Sequence, residues 1–389
     1  MSLHPRIVAL ACLLPLTLAA CSSSSDSSAT ASAERIVSGT TPTSTVAPAT
    51  PAEIGGAATA TVTSQEVVAT GLDAPWSLAT MADGSLLVSE RDSALIKRVR
   101  AGIATSLNGP GADALRRTVD NEGEGGLLGI AVLPGDTTYL YAYITRADDN
   151  AVLRMELNGD LLGLPTAIVE GIPSAKNHDG GRIAFGPDGF LYIATGDAGQ
   201  GDKAPETGSL AGKILRVVAK GGAKDGKAAP GNPWGNRVWS KGHRNVEGLA
   251  FVADGRLYAS ELGQDAWDEL NLIAAGSDYG WPSTEGTDGL PADGVTAPIE
   301  TWAPDDASPS GLAATHEALY MAALKGEALW RIPLTADGTG EPQVILDGIG
   351  RIRDVAVGID GSLYVATTNT DGRGQAREGD DRILHLTIG

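Results

Sequence analysis

His178 lies in the run Asn177-His178-Asp179-Gly180-Gly181-Arg182, where a side chain able to exchange a proton near neutral pH stands beside a carboxylate and two glycines. Taken alone, such a histidine reads as a hydrogen-bonded turn residue. Three other stretches share the mix of polar residues and glycine: Asn121-Glu122-Gly123-Glu124-Gly125-Gly126, Gly242-His243-Arg244-Asn245-Val246-Glu247-Gly248 and Gly350-Arg351-Ile352-Arg353-Asp354. Each is richer in both than packing requires. Arg351 and Arg353 alternate, so a strand there puts both guanidiniums on one face, where they can bind carboxylates bidentately. Asp197, in Thr195-Gly196-Asp197, ends an apolar run and reads by itself as a turn residue, and a lone Lys325 or Arg244 reads as surface charge.

These stretches need a frame that brings them together, and the chain carries one. Each is followed by an apolar strand and then by one repeated pattern, a turn, often Asp-Gly, and a strand with a Leu-Tyr or similar pair. The copies are Asp83–Val88, Thr138–Ala142, Asp188–Ile193, Asp254–Ala259, Glu317–Met321 and Asp360–Val365. They recur every 44 to 66 residues or so, roughly the length of a four-stranded propeller blade with its loops. With no sustained 3.6-residue apolar period, the pattern predicts an all-β, six-bladed β-propeller over residues 64–389, with a pair of β-sandwiches as the competing frame. Glu66–Ala69 and Arg382–Leu386, at the two ends of this region, are expected to pair in one blade and close the ring. Loops at equivalent places in successive blades converge on one face, so the four polar stretches are expected to meet.

The composition bounds the partners. Forty-eight Asp and Glu against 29 Lys and Arg give a net charge of −19, which argues against nucleic acid, because phosphate binding needs a cationic face. Fifty-one glycines predict many tight turns and no long helices. Both cysteines, Cys12 and Cys21, lie near the N-terminus, which leaves the body without a disulfide framework or a cysteine metal site. Residues 1–20 read as a secretion signal, with Arg6 before an apolar run from Ile7 to Leu18 that is too short to anchor in a bilayer. It ends in Leu18-Ala19-Ala20-Cys21, which resembles a bacterial lipobox, so Cys21 is expected to be acylated and the protein held by lipid outside the cytoplasm. Residues 21–63, rich in Ser, Thr, Ala and Pro, read as a flexible stalk.

Taken in order, the polar stretches, together with Leu210–Arg216, Asn232-Pro233-Trp234, Trp267–Asn271 and Asp278–Pro282, resemble the quinoprotein glucose/sorbosone dehydrogenases, the soluble PQQ-dependent aldose sugar dehydrogenases. The resemblance runs from about residue 66 to 388. It implies oxidation of an aldose at C1 to the lactone, with His178 as the base that takes the C1 hydroxyl proton while hydride leaves for the quinone, and Asp197 as the carboxylate that orients the imidazole. It implies PQQ contacts at Arg244, Asn245, Lys325, Arg351 and Arg353. It implies Ca²⁺ on the consecutive backbone carbonyls of Gly263 and Gln264, and a second, structural calcium using Glu269 and the Tyr279 carbonyl. The chain has no c-type haem motif, so electrons are expected to leave to a separate acceptor.

Glu124 stands where the glucose-oxidising relatives have Gln at the sugar-facing edge, which points to a broader aldose preference. A calcium-dependent lactonase on a six-bladed propeller would want carboxylate and amide ligands at the axis and no Arg351/Arg353 pair. A non-catalytic binding propeller would have no use for His178 and Asp197 beside the cofactor cations.

Overall fold

The computed structural model describes residues 54–290, 292–336 and 338–389. The expected signal 1–20, the Cys21 lipidation site and the stalk up to residue 53 lie outside the described residues.

The repeat is built by one local device. At four of the six copies the turn aspartate accepts the N–H of the residue two positions on: Asp83 from Ser85 (3.0 Å), Asp188 from Phe190 (3.1 Å), Asp254 from Arg256 (2.9 Å) and Asp360 from Ser362 (3.1 Å). The glycine between them takes a φ of 73° to 92°, a left-handed conformation that strains residues with a Cβ. The strand that follows is buried on both faces. In Leu191–Thr195, Leu191 and Ile193 pack with Tyr141, Tyr143 and Val152 of the preceding blade, while Tyr192 and Ala194 pack with Val246, Leu249 and Leu257 of the next. Period-2 alternation thus sends the two members of the Leu-Tyr pair to opposite neighbours, and the hydrophobic core lies between blades.

Six antiparallel sheets result. Their inner strands are Pro75–Thr80, Leu127–Leu133, Gly180–Phe185, Val246–Phe251, Pro309–Ala314 and Ile352–Val357. Each packs against the inner strands of both neighbouring blades, and the last meets the first, so the ring is a closed six-bladed β-propeller. Closure is as expected: Val62–Ala69 is the outer strand of the sixth blade, with Glu66 opposite His385 and Val67 opposite Leu384. The one α-helix among the described residues is short, Pro110–Thr118.

The expected start of the domain at residue 64 needs correction. It falls inside the strand Val62–Ala69, and the packed body begins earlier. Gly55 donates its N–H to the His316 carbonyl (3.1 Å), Arg331 Nη2 donates to the Ala57 carbonyl (3.0 Å) and Gln343 Nε2 to the Ala60 carbonyl (2.8 Å). These contacts use the main chain of a segment of small residues, so no side-chain pattern announces them.

Candidate functional site

The polar stretches meet at the end of the propeller where the inner strands begin. Glu124 Oε2 accepts the His178 N–H (2.8 Å), Asn245 Oδ1 accepts the Gly180 N–H (2.9 Å), and Arg353 Nη1 donates to Glu247 Oε2 (2.6 Å). His178 is held at a φ of 61°, uncommon for a residue with a side chain, and its carbonyl lies so close to Gly196 that a Cβ there would sit 1.7 Å away. Gly196 therefore lets the end of the strand Leu191–Thr195 reach the histidine turn and deliver the next residue, Asp197.

His178 Nδ1 and Asp197 Oδ1 are 2.8 Å apart. The second Asp197 oxygen accepts Trp281 Nε1–H (2.7 Å), and Oδ1 also accepts the Gly199 N–H (2.8 Å). Burial opposes the charge on Asp197, but the bonds from His178, Trp281 and Gly199 outweigh it and hold the carboxyl below its ordinary pKa. An ionised Asp197 can only accept, so Nδ1 donates and the neutral ring presents Nε2 as a proton acceptor. Only 12 % of the His178 side chain is exposed. Glu124 is likewise kept ionised: burial opposes it, and the His178 N–H and Arg373 (3.0 Å) prevail.

Arg351 and Arg353 lie together and each is paired with an acid, whereas Arg244 is held by neutral acceptors. Arg351 precedes its strand, whose pairing is irregular between Ile352 and Asp354, yet both arginines reach one carboxylate. Arg351 Nε and Nη2 donate to Asp371 Oδ2 (3.2 and 3.1 Å), and Arg353 Nη2 lies 3.9 Å from the same oxygen. Arg353 Nε is buried without a partner among the described residues. Arg244 Nη1 donates to the Leu262 carbonyl (3.0 Å), and its Nε and Nη2 both donate to Gln264 Oε1 (3.1 and 2.7 Å). Lys325 stands apart. Its side chain is 58 % exposed and pairs with Asp305.

The loop after Glu261 has unusual main-chain geometry. Glu285 Oε1 collects the N–H groups of Gln264, Asp265, Ala266 and Trp267 at 2.6 to 3.1 Å, and no hydrogen bond among the described residues ends on the carbonyls of Gly263 or Gln264. Beside it is a cavity of about 10 Å³ lined by Glu261, Glu269, Tyr279 and Glu285, among others. Burial, with Glu261 nearby, pushes Glu269 up to about 8. No group of three or more His, Cys, Asp or Glu side chains among the described residues has metal-holding geometry, so free carbonyls are the feature that distinguishes this loop.

The sequence model of the Glucose / Sorbosone dehydrogenase family matches residues 72–377. The chain belongs to that family. It is 31 % identical over 356 residues to an aldose sugar dehydrogenase of Escherichia coli, covering 81 % of this chain and 92 % of that one. Over 262 residues it is 30 % identical to quinoprotein glucose dehydrogenase B of Acinetobacter calcoaceticus, which spans 57 % of this chain and 53 % of that relative. The solved PQQ-bound aldose sugar dehydrogenase of Streptomyces coelicolor is 47 % identical, covers 85 % of this chain and 98 % of its own, and superposes with a TM-score of 0.78.

Within this glucose/sorbosone dehydrogenase, four site residues had no role in the sequence reading. Trp281 holds Asp197, Glu247 and Asp371 hold the arginines, and Lys213 organises the loop between Gly196 and Gly212. Lys213 is fully buried and donates to the carbonyls of Lys203 (2.9 Å), Ala204 (2.8 Å) and Ala211, and burial pushes its ammonium down to about 7. Trp281 and Lys213 sit in the motifs Asp278–Pro282 and Leu210–Arg216, which were the available signal. Nothing local marks Asp371.

Proposed function

We propose that this dehydrogenase oxidises an aldose at C1 to the lactone, with PQQ as its cofactor and Ca²⁺ beside it. The observation that carries the reading is the chain Trp281–Asp197–His178, which leaves one ring nitrogen free to accept a proton at the edge of a cluster of guanidiniums.

The donor set fits an anionic cofactor. PQQ carries three carboxylates and an o-quinone, and a guanidinium has five N–H donors, so arginines already fixed by Asp371 and Glu247 keep donors to spare. The unpartnered, buried Arg353 Nε is one such donor. Arg244, Asn245, Arg351 and Arg353 would hold the cofactor, and exposed Lys325 would have to swing in from the rim. When bound, PQQ supplies the two-electron acceptor for the C1 hydride. His178 Nε2 accepts the C1 hydroxyl proton as the C1 carbonyl forms, and Asp197 stabilises the imidazolium that results. Glu124, pinned to the His178 backbone, gives the sugar a charged edge to bind. The free carbonyls of Gly263 and Gln264 suit a hard cation, and a second ion by Glu269 and the Tyr279 carbonyl would offset carboxylates crowded in the small cavity. The electron acceptor beyond the cofactor is external to this chain.

The test uses dialysed, chelator-treated protein with an aldose and a dye. Dye reduction should require PQQ and Ca²⁺ together. Reduction without added PQQ would overturn the reading, and lactone hydrolysis by the same sample would replace it. Export and anchoring through Cys21 belong to the same proposal, supported by the lipobox-like Leu18–Cys21 and the stalk composition. Changing Cys21→Ser should move the protein from the membrane fraction to soluble or unprocessed forms, and unchanged fractionation and intact mass would remove the tether.

A further inference from the structure

The blades supply an internal control for one buried charge. In every blade the second residue of the Leu-Tyr pair faces a residue on the third strand, and in four blades that residue is arginine. The pairs are Leu87 with Arg98, Tyr141 with Arg154, Tyr192 with Arg216 and Tyr320 with Arg331. The fourth blade has Leu272 at this place and the sixth has His385, whose Nε2 is 2.7 Å from Ser362 Oγ. Three of the four arginines have a carboxylate. Arg98 Nε meets Asp160 at 2.7 Å, Arg154 Nη1 meets Asp225 at 2.6 Å, and Arg216 Nη2 meets Asp188 at 2.8 Å.

Arg331 is the exception. It is fully buried, and Nη2 donates to the Ala57 carbonyl (3.0 Å), while Nε and Nη1 have no partner among the described residues. A buried cation with one neutral acceptor is costly, and the other three blades show how this fold offsets that cost. Arg331 also lines a cavity of about 530 Å³ between the fifth and sixth blades, at the end of the propeller opposite His178. The other arginines of this position have an acid from the chain. Arg331 has a cavity.

We propose that this cavity is a binding site for a small hydroxycarboxylate of the sugar-acid type, whose carboxylate takes on Arg331 the place that Asp160, Asp225 and Asp188 take on the other three arginines. The rest of the wall explains the hydroxyls. Thr59 and Thr387 offer hydroxyls that both donate and accept, and Asp360 Oδ2 and Glu317 offer acceptors, a mixture that suits a polyhydroxylated ligand and opposes a bare polyanion. The segment Ala57–Ala60 lines the same cavity and forms no strand, so the Ala57 carbonyl is the group the ligand's carboxylate displaces. The site lies away from the catalytic face and does not depend on the cofactor reading.

The test is calorimetric titration of the full chain, without added PQQ, with D-gluconate, with D-sorbitol and acetate as probes lacking the carboxylate or the hydroxyls. Gluconate should bind one to one, and sorbitol, which lacks the charged group, and acetate, which lacks the hydroxyls, should each bind at least about tenfold more weakly. Arg331→Met should lose gluconate binding by a similar factor. Because a buried arginine can matter for folding, Ala57→Asp is the second variant: it sets a carboxylate on the outer segment beside Arg331 and should abolish gluconate binding while raising the melting temperature. Gluconate binding that survives both changes places the ligand elsewhere and overturns the proposal, as does no binding to the unaltered chain. Binding that emerges only after Asp26, Glu34, Glu53 and Asp337 are changed to their amides also overturns it, by showing that the chain's own carboxylate fills the place.

Discussion

The two ends of the propeller are made from the same strands and held by opposite kinds of contact. At the end with the Asp-Gly turns, Asp188 reaches its N–H donor two residues away, and the device repeats blade after blade. At the end with His178, Trp281 reaches Asp197 across 84 residues, Arg353 reaches Glu247 across 106 and Arg373 reaches Glu124 across 249. Local, repeated contacts at one end set the blade, and single, long-range contacts at the other set the chemistry. Changes at the Asp-Gly turns should therefore cost stability and leave turnover intact, while changes at the second end should cost activity, stability or both according to the bond removed.

The largest effect is expected at His178. His178→Gln removes the ring base and keeps a polar side chain of similar reach, so PQQ should still saturate the protein while single-turnover reduction by an aldose slows by about 10²–10⁴-fold. Arg351→Ala should behave differently, with weak PQQ binding and a rate largely recovered at high PQQ. A fast His178→Gln enzyme would remove the assigned base, and equal loss of PQQ binding in both variants would make His178 structural.

Next comes Glu247→Gln, which keeps the shape and removes the charge facing buried Arg353. Arg353 would then depend on Asp371 at 3.9 Å, and breaking a buried pair in this way costs about 3–5 kcal/mol. Urea denaturation should show a midpoint lowered to match. An unchanged midpoint would mean that Asp371 alone neutralises both arginines.

The contrast between the ends also explains what could be read from the sequence. The Asp-Gly turns and the Leu-Tyr alternation are short-range, so the six blades and the closure by Glu66–Ala69 were legible. The convergence of His178, Asp197, Arg244, Asn245, Arg351 and Arg353 followed once the blades were counted, since equivalent loops share a face. The counter-ions were not legible. Asp371 lies in Thr370-Asp371-Gly372-Arg373, which has the composition of any exposed turn, and only the fold makes its carboxylate 99 % buried between two arginines. Lys325 shows the converse, a motif match that the fold leaves at the rim. The packing of Gly55–Thr61 escaped notice because main-chain bonds leave no trace in side-chain pattern.

A buried carboxyl next to the base should make stability depend on pH. Asp179 accepts Asn150 Nδ2–H (2.9 Å) on Oδ1, while Asp179 Oδ2 and Asn150 Oδ1 are both buried without a donor. Burial pushes Asp179 up to about 6 from 3.8. A raised carboxyl pKa means that ionisation opposes folding, so the penalty is absent below pH 3.8, grows as pH rises towards 6 and is constant above it. Asp179→Asn removes the ionisation and supplies a second donor. Its stability advantage over the parent should be small near pH 4 and reach on the order of 3 kcal/mol by pH 7. The same advantage at both pH values would show that packing, not charge, is responsible.

The smallest effect is expected at the other end, in Asp254→Ala. This aspartate accepts the Arg256 N–H (2.9 Å) and pairs with Arg256 Nε (2.6 Å), but its carboxyl is well exposed, so water replaces most of what is lost. The cost should be about 1 kcal/mol or less, with PQQ binding and turnover unchanged. The equivalent Asp188→Ala sharpens the point, because Asp188 also neutralises Arg216, which is 7 % exposed, and accepts the Tyr192 hydroxyl (3.0 Å). The same turn position should therefore cost more in the third blade than in the fourth, where Leu272 stands in place of the arginine. Equal costs would mean that the turn itself, and not the arginine beneath it, sets the value of the aspartate. A loss of turnover in Asp254→Ala, with the fold intact, would show that the two ends are coupled through the inner strands.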